Sequence, residues 1–128
     1  METLKLDLDI SDFNKVSSIV SNRCGAVFGI LNLNFCGCTV CSTGRGYHIY
    51  LIVSGEHDSF DVCFLQMALG SDYKREVHNF KRFKKSLTKE WNVLFSKKYD
   101  KNGQLTSCEQ EEKELSIALS KSIQERIE

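Results

Sequence analysis

The amino-acid sequence predicts an α+β fold in which helices pack on one mixed sheet and a helix closes the chain. Runs with alternating apolar residues are interspersed with runs of helical spacing, in the order strand, helix, strand, strand, helix, one or two strands, helix. A length of 128 residues suffices for one core and is short for two, and no repeat or linker divides the chain. Residues 1–128 are therefore expected to form a single domain.

The first strand is expected in LKLDLDI, residues 4–10. Because alternate side chains of a strand share a face, its leucines would point to one side and Lys5, Asp7 and Asp9 to the other. Two carboxylates side by side have two interpretations. They form either the solvated face of an edge strand or a site for a divalent metal ion.

A helix of about three turns is expected next, capped by Ser11 or Asp12 and ending at Gly25. The run 26–35 is rich in β-formers and contains Gly29, which favours a second strand with a bend. A turn rich in cysteine and glycine follows it.

The run 46–53 is aromatic, β-branched and bounded by glycines, which predicts a strand. Asp58 or Ser59 can cap a second helix that closes at Gly70. The polar, basic stretch after it is expected to be extended around Glu76–Phe83. The first strand can lie beside the glycine-bounded one in such a sheet.

The C-terminal part is expected to hold a strand over residues 91–96 and a helix over about 107–127. Trp91 and Phe95 are assigned to the core, and the helix carries an apolar stripe ending at Ile123. Carboxylates near the start of this helix suit its dipole: Glu109, Glu111 and Glu112.

Composition and charge exclude some classes of protein. Hydrophobic residues at 41% and charged residues at 27% lie in the globular range, and no apolar run approaches the roughly 20 residues of a membrane span. Acidic residues near the N-terminus do not resemble a secretory signal. The chain is therefore expected to be intracellular and cytoplasmic, without a membrane partner.

Net charge is zero, but residues 65–100 carry 9 basic and 4 acidic residues. This segment can contact phosphates, although a charge run is more often a solvated face. The candidate nucleic-acid-binding residues are Lys74, Lys81, Lys84 and Lys85.

Three of the six cysteines cluster in FCGCTVC, at Cys36, Cys38 and Cys41. With Cys24 or Cys63 as a fourth ligand they could form a structural zinc site, although the paired C-x2-C spacing of common zinc modules is missing. Buried thiols and disulfides are the alternatives.

The segment STGRGYHIY, residues 42–50, joins a turn of small residues to a strand that carries His48. Glycines in the turn would let backbone N–H groups approach a phosphate, and Arg45 would add a charge-assisted bond. A glycine-rich hairpin turn has the same composition. On the strand, His48 can face the same side as the carboxylates of the first strand.

Taken together, these segments resemble the signature motifs of the archaeo-eukaryotic primase superfamily, the primase-polymerase catalytic core. The first family motif is an acidic pair on a strand, matched by Asp7 and Asp9. The second is a turn of small residues leading to a histidine on a strand. It is matched by Ser42, Gly44, Arg45, Gly46 and His48.

The third motif is matched in part. Gly70, Asp72 and Arg75 fall where the family has glycine, acid and arginine, but Asn79 stands where the family has its final aspartate. An amide does not supply the negative charge that a Mg²⁺ site favours. Asp72 and Asp61 are the candidate substitutes.

The resemblance covers residues 4–96 and implies an RNA-recognition-motif-like sheet that carries the catalytic residues. It implies template-directed nucleotide addition with Mg²⁺ or Mn²⁺ at Asp7 and Asp9. His48 and Arg45 would hold a nucleoside triphosphate, assisted by Arg75 or Arg82. The implied partners are this triphosphate, a DNA or RNA template and separate helicase or replication proteins.

The main alternative is a catalytically degenerate, primase-like module that binds nucleic acid. Its stacking surfaces would come from Tyr47, Tyr50, Tyr73 or Trp91. A rolling-circle replication nuclease is a third class, but its two strand histidines are not matched, because Tyr50 takes the place of the second.

Overall fold

The computed structural model describes residues 1–85, 91–92, 94, 97–99 and 101–128. Among them are six strands and four helices, and the two sheets have the strand orders β1-β3-β2-β6 and β4-β5. The elements are β1 (Glu2–Leu8), α1 (Phe13–Leu31), β2 (Phe35–Ser42), β3 (Tyr47–Val53), α2 (Ser59–Ala68), α3 (Tyr73–Phe83), β4 (Lys97–Tyr99), β5 (Leu105–Cys108), β6 (Gln110–Glu111) and α4 (Lys113–Ile127).

The larger sheet is built on β3, which pairs antiparallel with β1 on one side and with β2 on the other. β1 and β2 therefore run parallel, and α1 connects them across β3. This split β-α-β arrangement confirms the predicted RNA-recognition-motif-like α+β class. The first strand lies beside the glycine-bounded strand, an arrangement that the sequence allowed without establishing it.

One face of this sheet packs against helices α1 and α4. The leucines of β1 at positions 4, 6 and 8 are at most 2% exposed. They belong to one buried cluster with Val20 and Phe28 of α1 and Leu119 and Ile123 of α4. Side chains at alternate positions, which include Lys5, Asp7, His48 and Tyr50, are therefore directed to the opposite face, called here the open face.

The first helix is longer than predicted. It runs through Gly25 and Gly29 to Leu31 and is capped by Asn32, which adopts a left-handed conformation with φ of 54°. Gly25 does not end the helix, because its missing side chain makes room for α4: a Cβ there would lie 3.1 Å from the Cβ of Arg126. The predicted strand over 26–35 and the turn after it were consequently wrong, since the FCGCTVC segment lies in β2.

The basic stretch was also assigned wrongly. The segment expected to be extended is helix α3, which begins because the Asp72 carboxylate accepts the N–H of Arg75 as an N-cap. The C-terminal helix begins at Lys113, later than expected, because the preceding residues form β5 and β6. Of the predicted strand over 91–96, residues 91, 92 and 94 are described and do not lie in a strand, so the prediction was wrong there. The other three residues, Phe95 among them, lie outside the described residues, while Trp91 is buried as predicted.

Side chains from α2, from α3 and from the turn between them cover the outer edge of β1. The N–H of Lys5 donates to Gln66 Oε1 at 2.9 Å, and the N–H of Asp7 donates to Ser71 Oγ at 3.0 Å. Arg75 Nη1 donates to the carbonyl of Lys5 at 2.9 Å. The edge of the sheet is thus satisfied by side chains and is closed to a further strand.

Behind this edge lies a buried polar network around Glu76, which has no solvent exposure. Its carboxylate pairs with Arg75 and accepts from Gln66 Nε2 at 2.8 Å and Ser71 Oγ at 2.6 Å. Asn79 Nδ2 adds a fourth bond at 3.1 Å. Such a buried charge is tolerated because its acceptor positions are occupied.

Within the described residues, no helix has the length and apolar character needed to cross a bilayer.

Candidate functional site

The candidate site starts from one cross-strand pair on the open face. Asp7 of β1 lies directly opposite His48 of β3. The backbone N–H and C=O of Asp7 bond outward to Ser71 and Asp72, so this is a non-hydrogen-bonded pair, in which side chains approach most closely. Asp7 Oδ1 is 3.7 Å from His48 Nε2. The prediction that the histidine and this carboxylate share a face is confirmed.

The other ring nitrogen of His48 meets a residue that the sequence did not mark. Nδ1 is 2.8 Å from Glu109 Oε2, and the Tyr50 hydroxyl donates to the same carboxylate at 2.9 and 3.1 Å. Asp7, His48, Tyr50 and Glu109 are called here the sheet-face cluster. Glu109 was missed because it was assigned to a helix start, and no sequence signal connects it with β3.

Burial and the neighbouring carboxylates raise the pKa of two further groups on the open face, the Tyr50 hydroxyl and the Cys41 thiol. Burial raises the pKa of Tyr50, and its hydrogen bond to Glu109 raises it further. On the other side of β3, Cys41 lies opposite His48, and burial with the charges of Glu109 and Glu111 raises the pKa of its thiol to about 11. Tyr50 is therefore a hydrogen-bond donor at neutral pH, and Cys41 is not a thiolate nucleophile.

The two acids of the first motif are placed differently. Asp7 lies on β1, but the strand ends at Leu8, so the expectation that Asp9 belongs to the same strand was wrong. Asp9 is exposed beyond the strand end.

The turn of the second motif packs against the first motif. A side chain at Gly46 would collide with the carbonyl oxygen of Leu8 and the backbone at Asp9, so only glycine fits there. Thr43 Oγ1 accepts the N–H of Gly46 at 3.0 Å and that of Arg45 at 3.4 Å. Two of the amides expected to bind phosphate are thus bonded within the turn.

The other members of this turn differ in exposure. Gly44 and Arg45 are exposed at its tip, beside the segment that carries Asp9. Ser42, at the end of β2, donates its hydroxyl to Glu112 Oε1 at 2.7 Å. Of the residues expected to hold a triphosphate, Arg45 therefore has the most accessible charge at this end of the sheet.

The third motif is built into the interior. Asn79 is fully buried on α3, where it donates to Glu76 and accepts from Arg82 Nη1 at 3.0 Å. Arg75 bonds the edge of β1 and pairs with Glu76. Asp72 caps α3 with its carboxylate, while its N–H donates to the carbonyl of Asp7 at 2.7 Å. Asp61 lines a separate pocket beside Phe64.

The three clustered cysteines are not brought together. Cys36 is exposed at a bulge of β2, and Cys38 faces α4, where burial raises the pKa of its thiol to about 11. Cys41 lies on the open face. All six cysteines are free thiols. Among the described residues, no three His, Cys, Asp or Glu side chains are grouped to hold a metal ion by themselves.

A second feature is the outward face of α3 and the turn that follows it. Glu76, the acid within the helix, is buried, whereas Tyr73 at its start is 64% exposed. Lys84 lies over the ring of Phe80 at 4.7 Å from its centroid. The exposed cations of this surface, called here the basic face, are Lys74, Lys81, Arg82, Lys84 and Lys85.

Neither a scan against protein-family models nor searches of curated proteins and solved structures returned a match.

The contact at Gly46 is directly testable. We expect Gly46→Ala to destabilise the protein by about 3 kcal/mol, because the new Cβ overlaps backbone atoms that have no room to move. The matched control is Gly37→Ala, where nothing lies within 4 Å and the change should cost less than about 1 kcal/mol. Urea denaturation measures both, and equal stabilities would refute the close packing of the turn on the first motif.

Proposed function

We propose that this protein is an intracellular nucleic-acid-binding module with a primase-like sheet, and that the basic face of α3 holds the phosphate backbone. The observation that carries the proposal is the one-sided charge of this helix: Lys74, Lys81 and Arg82 are exposed, whereas its acid is buried and paired with Arg75. Because net charge over the chain is zero, the positive potential is local to this face.

The spacing of the basic face suits an extended polyanion. Lys74, His78 and Lys81 follow one another at intervals of four and three residues and therefore form a stripe along the exposed side of α3. Lysines contact phosphates as point charges without reading sequence. The exposed ring of Tyr73 at one end of the stripe offers a surface on which a base can stack.

A charge-removal series tests this proposal. We expect the triple variant Lys81→Ser, Lys84→Ser, Lys85→Ser to bind a single-stranded oligonucleotide more weakly, with the slope of log affinity against log salt reduced by about 2. The matched control removes three exposed lysines from other helices: Lys15, Lys113 and Lys121. Fluorescence anisotropy at several salt concentrations measures both, and equal losses in the two variants would reject a specific role for α3.

A second candidate function is metal-dependent, template-directed nucleotide addition in replication or repair. It is favoured by the convergence of Asp7 and His48 on the open face. In this proposal Asp7 and Asp9 hold Mg²⁺ or Mn²⁺, which neutralises the leaving pyrophosphate when bound. His48 and Arg45 contact the triphosphate, a DNA or RNA template lies along α3, and helicase or replication proteins are the expected partners.

The enzymatic candidate has its own test. We expect the double variant Asp7→Asn, Asp9→Asn to lower nucleotide incorporation by about 100-fold or more, because amides keep the shape and lose the charge that binds the ion. Asp61→Asn is the control, since this exposed carboxylate lies on α2, away from the sheet-face cluster. Primer extension with Mn²⁺ measures incorporation. Unchanged incorporation in the double variant would rule out the assigned roles.

A further inference from the structure

The segment Leu105–Glu111, called here the strap, carries Glu109 to the open face. Among its side chains that the structure describes, Glu109 is the one that is not exposed. β6 pairs with β2 through two residues, Gln110 and Glu111. β5, the other strand of the strap, pairs with β4 in the separate two-stranded sheet. Because the strap is joined to the four-stranded sheet by two paired residues and its other described side chains are exposed, it can open from this sheet at low cost in free energy.

Two side chains of β3 hold the side chain of Glu109. Its carboxyl group meets His48 Nδ1 at 2.8 Å and accepts from the Tyr50 hydroxyl at 2.9 Å, so both side chains converge on its oxygens. The same kinds of donor bind the oxygens of a phosphate. Lys5 lies opposite Tyr50 in the sheet, and the charge of Arg75 also acts on the Tyr50 phenol.

We infer that His48 and Tyr50 form a phosphate-binding site and that Glu109 occupies this site as an internal competitor. A bound phosphate group replaces the carboxylate and releases the strap from the open face. The inference deepens the second candidate function, on which it rests for the choice of ligand, and adds a regulatory step to it: strap closure lowers the apparent affinity for the ligand. The shared chemistry is a phosphate group, carried by a nucleoside triphosphate or by a nucleic-acid strand.

Asp7 shapes the electrostatics of this exchange. It stays 3.7 Å from the opposite nitrogen of His48, so the ring faces a carboxylate on each side while the strap is closed. An entering phosphate takes over the position of Glu109 and leaves the contact with Asp7 in place. The exchange therefore replaces one anion by another at the same donors.

The test compares Glu109→Ala with Glu111→Ala, which removes the same charge from an exposed position of the same strap. Binding of ATP without metal, and of a short oligothymidylate, is measured by isothermal titration calorimetry. Glu109→Ala is expected to bind one of these probes about tenfold more tightly than the wild type. The reason is that the probe no longer has to displace the Glu109 side chain from its hydrogen bonds to His48 and Tyr50. Adding Tyr50→Phe to Glu109→Ala should remove most of that gain.

The probe that gains affinity identifies the source of the phosphate. Equal affinities of Glu109→Ala and Glu111→Ala for both probes, or a gain that survives Tyr50→Phe, would overturn the inference. Hydrogen–deuterium exchange on the wild-type chain gives a readout that needs no variant: exchange in residues 105–111 should rise when the probe binds, and unchanged exchange at saturation counts against release of the strap. Nucleotide incorporation is not measured, so this inference and the enzymatic proposal can fail separately.

Discussion

The antiparallel register of β1 on β3 is the constraint on which the site depends. It sets Asp7 opposite His48, and a shift by one residue would send every side chain of β1 to the other face. The register is held on the core side by the leucines of β1 and on the outer edge by hydrogen bonds to Gln66 of α2 and to Ser71 in the turn before α3. Packing and polar contacts therefore fix the same alignment.

The polar edge of β1 explains why the third segment looks functional in the sequence. Arg75 and Asn79 are polar residues in a run that otherwise resembles a binding motif, yet both are used inside the protein, around the buried Glu76. The side chains that remain exposed include the cations of the basic face. The same helix thus satisfies the sheet edge with one side and presents charge to solvent with the other.

The sequence predicted those features that depend on short-range periodicity. The alternation in 4–8 and the glycine-bounded strand appear in the structure as expected, and of the two candidate caps of the second helix, Asp58 and Ser59, Asp58 is the one used. The errors arose where local signals compete with tertiary packing. Gly25 was taken as a helix end although it serves helix–helix contact, and the cysteine-rich segment became a strand because β3 pairs along it.

Part of the site could not be predicted from local patterns. Asp7 and His48 could be expected to share a face, because alternation places each of them on the side of its strand opposite to the core residues and the two strands can be neighbours. Glu109 lies 61 positions from His48 and reaches it only through the strap, an association that periodicity does not encode. The position of Asp9 could not be predicted from local patterns either. The backbone of residues 8–10 packs against Gly46, a contact between two turns that are distant in sequence.

The most direct test of the central claim is a double-mutant cycle on urea stability with His48→Phe and Glu109→Gln. If the register and the strap bring these two side chains together as described, their coupling energy should be about 1 kcal/mol or more, because contacting polar residues are not additive. Additive effects within about 0.3 kcal/mol would show that the imidazole and the carboxylate do not meet, and would contradict the sheet-face cluster.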